Sequence, residues 1–276
     1  MSYLRHKQQG LSLVELMVAL TLGMVLMAGF LQIFMSVRST YAANEASSRL
    51  QENGRFALDF LAQHARMAGY RDPRQLDRPF PVMPRQGNGC TLPSANQANF
   101  CTVDRNVVTG AAAGAETGDR IAFVYQPPVD GAGKRFDCAG NTDSADPDLG
   151  GKNVINVFTT EATANSSGLV CRSILEDGSS LTPGSVELVD GIDAVQFQYG
   201  LAPKGFVQQY VTASDVTNWD HVAALRIAVL ANSITPVSPP PPAKNYYLLD
   251  TGPYSFNDGK MRQVFTTTVY LRNSLR

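Results

Sequence analysis

One carboxylate, Glu15, is the only charge in a run that is almost wholly apolar from Leu11 to Val37, and the next charge is Arg38. A charge inside a lipid-facing helix costs on the order of 2.5–3.5 kcal/mol on insertion scales, so Glu15 calls for a partner or a task. Its available chemistry is electrostatic. In low dielectric it pairs strongly with a nearby cation, and either charge left alone is costly.

Four cysteines, Cys90, Cys101, Cys138 and Cys171, all lie beyond the apolar run. None forms a CxxC and no histidine lies near them in sequence, which argues against zinc. An even count beyond a membrane segment points to disulfides in an oxidising compartment. Of the three connectivities, local pairing of Cys90 with Cys101 and Cys138 with Cys171 is expected. Each closure would be worth roughly 3–4 kcal/mol.

Other chemistry-bearing groups do not assemble into a reaction centre. Asp137, Asp143, Asp146 and Asp148 could offer hard oxygens to calcium, but their spacing is not that of a calcium loop, and a solvated loop is expected. His64 reads as a packed or solvated helix residue and Trp219 as core. Lys260, Arg262, Arg272 and Arg276 read as a solvated basic edge rather than a DNA contact. No H-E-x-x-H, G-x-S-x-G, P-loop or dinucleotide fingerprint occurs. No enzyme activity, cofactor or metal is expected.

The whole chain has 276 residues and a formal net charge of −1. Setting aside Arg5 and Lys7 leaves 21 basic against 24 acidic residues, a net of −3. A broad electrostatic nucleic-acid binder would be basic; nucleic acid is not an expected partner.

Several elements must position these groups. As a helix, residues 11–37 would extend about 40 Å at 1.5 Å per residue, enough to cross a hydrocarbon core of about 30 Å with tilt. The basic flank before it places that end in the cytoplasm and sends the remainder outward. Beyond Arg38 the apolar positions Leu50, Ala57, Leu61, Ala65 and Ala68 recur on one helical face. Gly54 is read as a slight bend, Gly69 with Pro73 as the stop, and Arg66 as favourably placed near the last carbonyls.

Residues 70–118 read as a long loop tethered by Cys90 and Cys101, and residues 130–151 as another. Strands are expected at 120–125, 153–160, 169–173, 186–189, 194–199, 222–231 and 263–271. The stretch Ala194–Tyr199 alternates Val195, Phe197 and Tyr199 with Gln196 and Gln198, the pattern of a half-buried antiparallel sheet. Ser214 to Trp219 reads as one helical turn capped by Ser214. Pro239–Pro242 marks a surface excursion.

The segment Gly10-Leu11-Ser12-Leu13-Val14-Glu15-Leu16-Met17-Val18-Ala19-Leu20 resembles the type IV prepilin signature. A plain signal anchor would explain the hydrophobicity and the basic flank, but not Glu15. The resemblance implies that a prepilin peptidase cuts after Gly10 and N-methylates Leu11, which stands where phenylalanine is usual. It also implies that Glu15 forms an assembly salt bridge with the new amine, its own or a neighbour's.

Further stretches resemble the PilW family of minor pilins. These are Ala65-Arg66-Met67-Ala68-Gly69-Tyr70, Asp137-Cys138-Ala139-Gly140, Leu188–Ile192 leading to Phe197–Gly200, Val222–Ala228 and Thr267–Asn273. The resemblance implies a type IV pilin-like α+β fold, a long N-terminal α-helix packed on an antiparallel β-sheet with disulfide-pinned loops. The expected division is a leader at 1–10, a membrane and assembly half of the helix at 11–37, an amphipathic half at 38–69, and a β-rich globular domain at 70–276.

The implied role is that of a minor pilin that primes type IV pilus assembly and sits at the tip. Its partners would be other minor pilins, the major pilin, the inner-membrane assembly platform and the prepilin peptidase. The chain would first cross the inner membrane once, with its C-terminal domain in the periplasm, and later join the extracellular pilus. A type II secretion pseudopilin and a membrane-anchored adhesin or DNA-binding module are the alternative readings.

Overall fold

The computed structural model describes residues 12–71, 81–85, 90, 100–105, 115–127, 136–140, 153–162, 166–176, 178 and 184–274. The chain divides into two compact units, Met1–Glu45 and Ala46–Arg276. One helix, α1, spans Leu13–Met67. The expected positions Leu50, Ala57, Leu61, Ala65 and Ala68 are all buried, joined by Ala46, Leu58 and Ala62. Small residues on this face bring the helix backbone close to the sheets. Gly54 is the extreme case, since a Cβ there would stand 2.3 Å from the Phe265 ring. The helix runs through Gly54 without interruption, and this glycine serves close approach to β10.

Among the described residues ten strands follow α1. The first sheet is β1 (Ile121–Tyr125), β2 (Val154–Ala162), β3 (Ser167–Leu175) and β4 (Val186–Asp190), antiparallel and in that order. The second has the order β10-β7-β5-β6, with β5 at Ile192–Leu201, β6 at Gln209–Val211, β7 at Val222–Asn232 and β10 at Arg262–Tyr270. A ribbon of β8 (Tyr246–Leu248) and β9 (Thr251–Tyr254) packs Leu248 against Ala194, Ala228 and Leu230. The chain passes from the first sheet to the second at Gly191, whose φ of +73° suits glycine.

The expected single sheet is therefore two, and in β2 and β5 the faces expected to meet water are covered. All nine residues of β2 are buried. Met83, Cys90 and Phe100, from the stretch read as a loop, pack over Ala122, Val124, Ile155, Val157 and Ile174. Gln196 is buried too, and its amide donates to the Arg105 carbonyl at 2.7 Å. Three short strands, β6, β8 and β9, carry no pattern long enough to read.

Residues 213–221 form two 3₁₀ turns, Ala213–Asp215 and Trp219–His221, instead of one turn capped by Ser214. Asn218 caps the second by accepting from the Asp220 N–H at 2.9 Å. Trp219 is core, edge-on to Tyr199 with ring centroids 5.2 Å apart. The basic edge also needs correcting. The Arg262 side chain is 3% exposed, its Nε 2.6 Å from Asp193 and its guanidinium over the Phe256 ring, because acids from β5 and from Asp258 converge on it. Arg276 and residues Asp143, Asp146 and Asp148 lie outside the described residues.

The helix is locked to the first sheet by a buried polar chain. His64, on α1, packs against Phe60 and Phe158. Its Nδ1 lies 3.0 Å from Tyr125 Oη, which accepts from Asn156 Nδ2 at 2.7 Å. The tyrosine proton is then directed to Nδ1, so the imidazole must be neutral with its own proton on Nε2. Asn156 Oδ1 in turn accepts from the Cys138 N–H and from Ser173 Oγ. Desolvation agrees with this assignment, lowering the His64 pKa to about 4.

The sign of the consequence follows from linkage. Between the unfolded value of about 6.5 and the folded value of about 4, only the unfolded chain binds the proton, so stability falls as pH falls through that window. We expect a loss on the order of 3 kcal/mol from this group. Denaturant unfolding of the globular unit, followed by Trp219 fluorescence at pH 7 and pH 4, should show it. In His64→Gln the difference between the two pH values should shrink by that amount; an unchanged difference would mean that His64 is not the titrating group.

Candidate functional site

The N-terminal stretch of α1 is built for an apolar solvent. Every large apolar side chain from Leu13 to Val37 is exposed, the least of them Phe34 at 48%. A helix that is apolar all round belongs in lipid or among other helices, and α1 is long and apolar enough to cross a membrane. Its hydroxyls are consumed internally: Thr21 Oγ1 donates to the Val18 carbonyl, and Ser39 and Thr40 both donate to that of Ser36, each at 2.9 Å. That leaves no side-chain hydroxyl of these three asking for water.

The helix start explains part of Glu15. Ser12 Oγ accepts from the Glu15 N–H at 3.2 Å, and the Ser12 carbonyl accepts from the Leu16 N–H at 3.1 Å, the first helical bond. Ser12-Leu13-Val14-Glu15 thus has the S-x-x-E spacing of a capping box. An acid in the first turn also opposes the positive end of the helix dipole. That motif is legible in the sequence as a Ser three residues before a Glu at the start of an apolar run. Among the described residues no basic group pairs with Glu15. Gly10 and Leu11 lie outside the described residues.

In the globular unit the cysteines pair Cys90 with Cys101 and Cys138 with Cys171. The first bridge fastens the cover over the first sheet, where Cys101 also accepts at its carbonyl from Arg120 Nε at 2.9 Å. The second ties the segment holding Asp137, whose Oδ1 accepts from the Ala139 N–H, to β3. Between the sheets runs a strap from Ala115 to Arg120. Thr117 N donates to the Thr160 carbonyl on β2, and Asp119 N to the Val195 carbonyl on β5, both at 2.8 Å. The Asp119 carboxylate accepts from the Arg105 and Phe197 N–H groups. Burial raises its pKa well above the usual range despite those two donors. Glu116 binds Arg105 and Arg120, and Arg172 binds Glu161.

Little of this is arranged for catalysis. A cavity of about 200 Å³ beside the strap is lined by Asp104, Asp119, Thr212 and Ser214. The Asp104 oxygens accept from the Ala213 and Ser214 N–H groups, and those of Asp119 are taken as described. Among the described residues no three acids, histidines or cysteines group as metal ligands. Asn273 was a further miss: its Nδ2 donates to the Ala68 carbonyl at 3.0 Å and to that of Arg66 at 3.3 Å, closing the end of α1. No local sequence signal reveals a cap supplied from the other end of the chain.

A capped apolar helix joined to a disulfide-braced antiparallel unit defines a pilin-like protein. Residues 5–31 match the family described as the prokaryotic N-terminal methylation motif, and residues 157–273 match type IV pilus-assembly protein W. The second match is to a family of type IV pilus-assembly proteins, whose part is structural rather than enzymatic, and over residues 157–273 the chain is similar to this PilW family. Among solved structures it is similar to a type IV-like pilin from Thermus thermophilus. The two share 15% identity over 82% of this chain and 99% of that one, with a TM-score of 0.45. No curated protein matches the chain.

The bridges should carry measurable stability. Replacing Cys138 and Cys171 by serine closes no 33-residue loop in the unfolded chain and should cost about 4 kcal/mol. Replacing Cys90 and Cys101, 11 apart, should cost about 3 kcal/mol. Denaturant midpoints of the oxidised protein and the two double variants check both values.

Proposed function

We propose that this chain is a minor pilin that primes type IV pilus assembly and sits at the pilus tip. The observation that carries the reading is the carboxylate of Glu15 in the first turn of a helix exposed on all sides and almost wholly apolar to Val37. Cleavage after Gly10 by a prepilin peptidase would create an amine at Leu11, which is then methylated. That amine would stand one helical turn before Glu15, within reach of its own carboxylate or that of a neighbouring subunit.

Before assembly, α1 would hold the protein in the inner membrane with the globular unit in the periplasm. During assembly, other minor pilins and the major pilin would replace lipid around the helix, guided by the assembly platform. A correctly placed amine removes the cost of the buried carboxylate, and a misplaced one does not. This difference would select axial register between subunits.

Two variants test the reading. Gly10→Val should retain the leader, so mature-sized protein on a gel would refute the assigned cleavage site. Glu15→Gln keeps the capping-box geometry, which accepts glutamine, but removes the charge. It should be inserted and cleaved, yet reduce surface pili by about tenfold or more, because breaking a buried pair costs about 3–5 kcal/mol. Normal pilus numbers, counted by electron microscopy, would sink the pairing role.

A further inference from the structure

The cavity of about 200 Å³ beside the strap gathers charge of one sign. Asp104 comes to it from the cover, Asp119 from the strap and Asp250 from the turn between β8 and β9. Arg105 is the one cation among the lining residues, and its Nη2 is turned to Glu116 at 2.7 Å. Asp250 is exposed and has no hydrogen bond or ion pair among the described residues. The three carboxylates are close enough to act on one another. Burial is the main reason that the Asp119 pKa is raised, and the charges of Asp104 and Asp250 push it the same way. Like charges around one space repel, and a cation between them would relieve that cost.

A second feature of the cavity does not depend on charge. Gln196 lines it and is 4% exposed. Its Nε2 donates at 2.7 Å to the Arg105 carbonyl, an atom that can only accept. That contact fixes which end of the amide is nitrogen, and it leaves Oε1 with no donor among the described residues. A buried amide oxygen ordinarily holds a hydrogen bond. This one marks a place where a donor belongs.

The acceptors discriminate between cations. Calcium takes about six to eight oxygens at about 2.3–2.6 Å, and among the described residues no three acids group as metal ligands. A guanidinium forks onto both oxygens of one carboxylate. Here the Asp104 oxygens already hold the Ala213 and Ser214 N–H groups, at 2.9 and 2.6 Å. Those of Asp119 hold the Arg105 and Phe197 N–H groups, at 2.7 and 2.8 Å. Each oxygen keeps one further acceptor site, which suits donors arriving singly. A primary ammonium offers three of them on one compact nitrogen.

We propose that this cavity binds a primary alkylammonium, the chemistry of a lysine side chain or of a free alkylamine. Gln196 Oε1, Asp104 and Asp119 accept its three N–H groups, and Asp250 adds negative charge on the exposed side. The inference stands on the cavity and does not depend on the tip or priming role.

The test titrates the full-length protein in detergent with n-butylammonium and follows the backbone amide NMR signals of Arg105, Phe197, Ala213 and Ser214. These groups donate to Asp119 and Asp104, so they should shift together, with a Kd in about the millimolar range. Tetramethylammonium has the same charge and no N–H, and should bind about tenfold more weakly or worse. Asp250→Asn alters an exposed residue and should weaken butylammonium about threefold while leaving the thermal midpoint unchanged. Carbodiimide coupling in the cell that makes the protein then separates the sources. An amide joining Asp104 or Asp250 to a lysine of another chain identifies a side chain, and butylammonium binding without such an adduct identifies a free amine. No shift at the four amides would overturn the proposal. So would equal binding of tetramethylammonium, or tighter binding of calcium or of methylguanidinium.

Discussion

The globular unit depends on one contact: a helix face of small residues lying against the inner faces of two sheets. Leu50, Ala57, Leu61, Ala65 and Ala68 meet Phe123 and Phe158 of the first sheet and Val195, Phe197, Ile227 and Val269 of the second in one core. Alanine costs nothing in side-chain entropy when buried, and its small radius lets backbone approach backbone. Neither sheet could be buried on its inner face without this helix. The ends of the contact are tied by hydrogen bonds rather than by bulk, at Asn53 to the Asp190 carbonyl and at Gly69 N to the Val124 carbonyl.

That arrangement leaves the seam between the sheets to be filled by polar backbone, which the strap from Ala115 to Arg120 does. A strap inside a protein must find partners for its own N–H and C=O groups. Here β2 and β5 supply them, and Asp119 takes two further N–H groups from its neighbours. Burial still raises its pKa, so desolvation outweighs two hydrogen bonds at this carboxyl. Asp119 and neutral His64 are each held in place by the geometry of their partners.

What could be read from residues alone follows period. The helix face at 50, 57, 61, 65 and 68 and seven of the ten strands follow from periods near 3.6 and 2. What covers the second face of a strand does not follow from the strand. Gln196 alternates with Val195 and Phe197 as if it faced water, yet the segment carrying Arg105 folds over it and accepts its amide hydrogen. Arg262 looked like a surface cation because its acids, Asp193 and Asp258, come from separate parts of the chain. The long stretch before β1 looked like loop because its contribution is cover, through Met83, Cys90 and Phe100, rather than ladder. By contrast, Ser12-x-x-Glu15 was a local signal open to inspection.

The capping box narrows what remains to be explained at Glu15. Its geometry is met by a glutamine as well as by a glutamate, and in lipid the neutral residue costs less. Capping therefore accounts for a polar residue at this position and not for a charge. The helix dipole favours a negative charge in the first turn by about 0.3–1 kcal/mol at exposed sites, less than the cost on the order of 2.5–3.5 kcal/mol of holding one in a membrane helix. A cation would supply the difference, and the described helix supplies none before Arg38, more than twenty residues on by sequence. At about 1.5 Å per residue that distance exceeds 30 Å, far beyond the reach of a salt bridge. A cation at the other end of the segment, created when the leader is removed, is the one the proposed processing would provide.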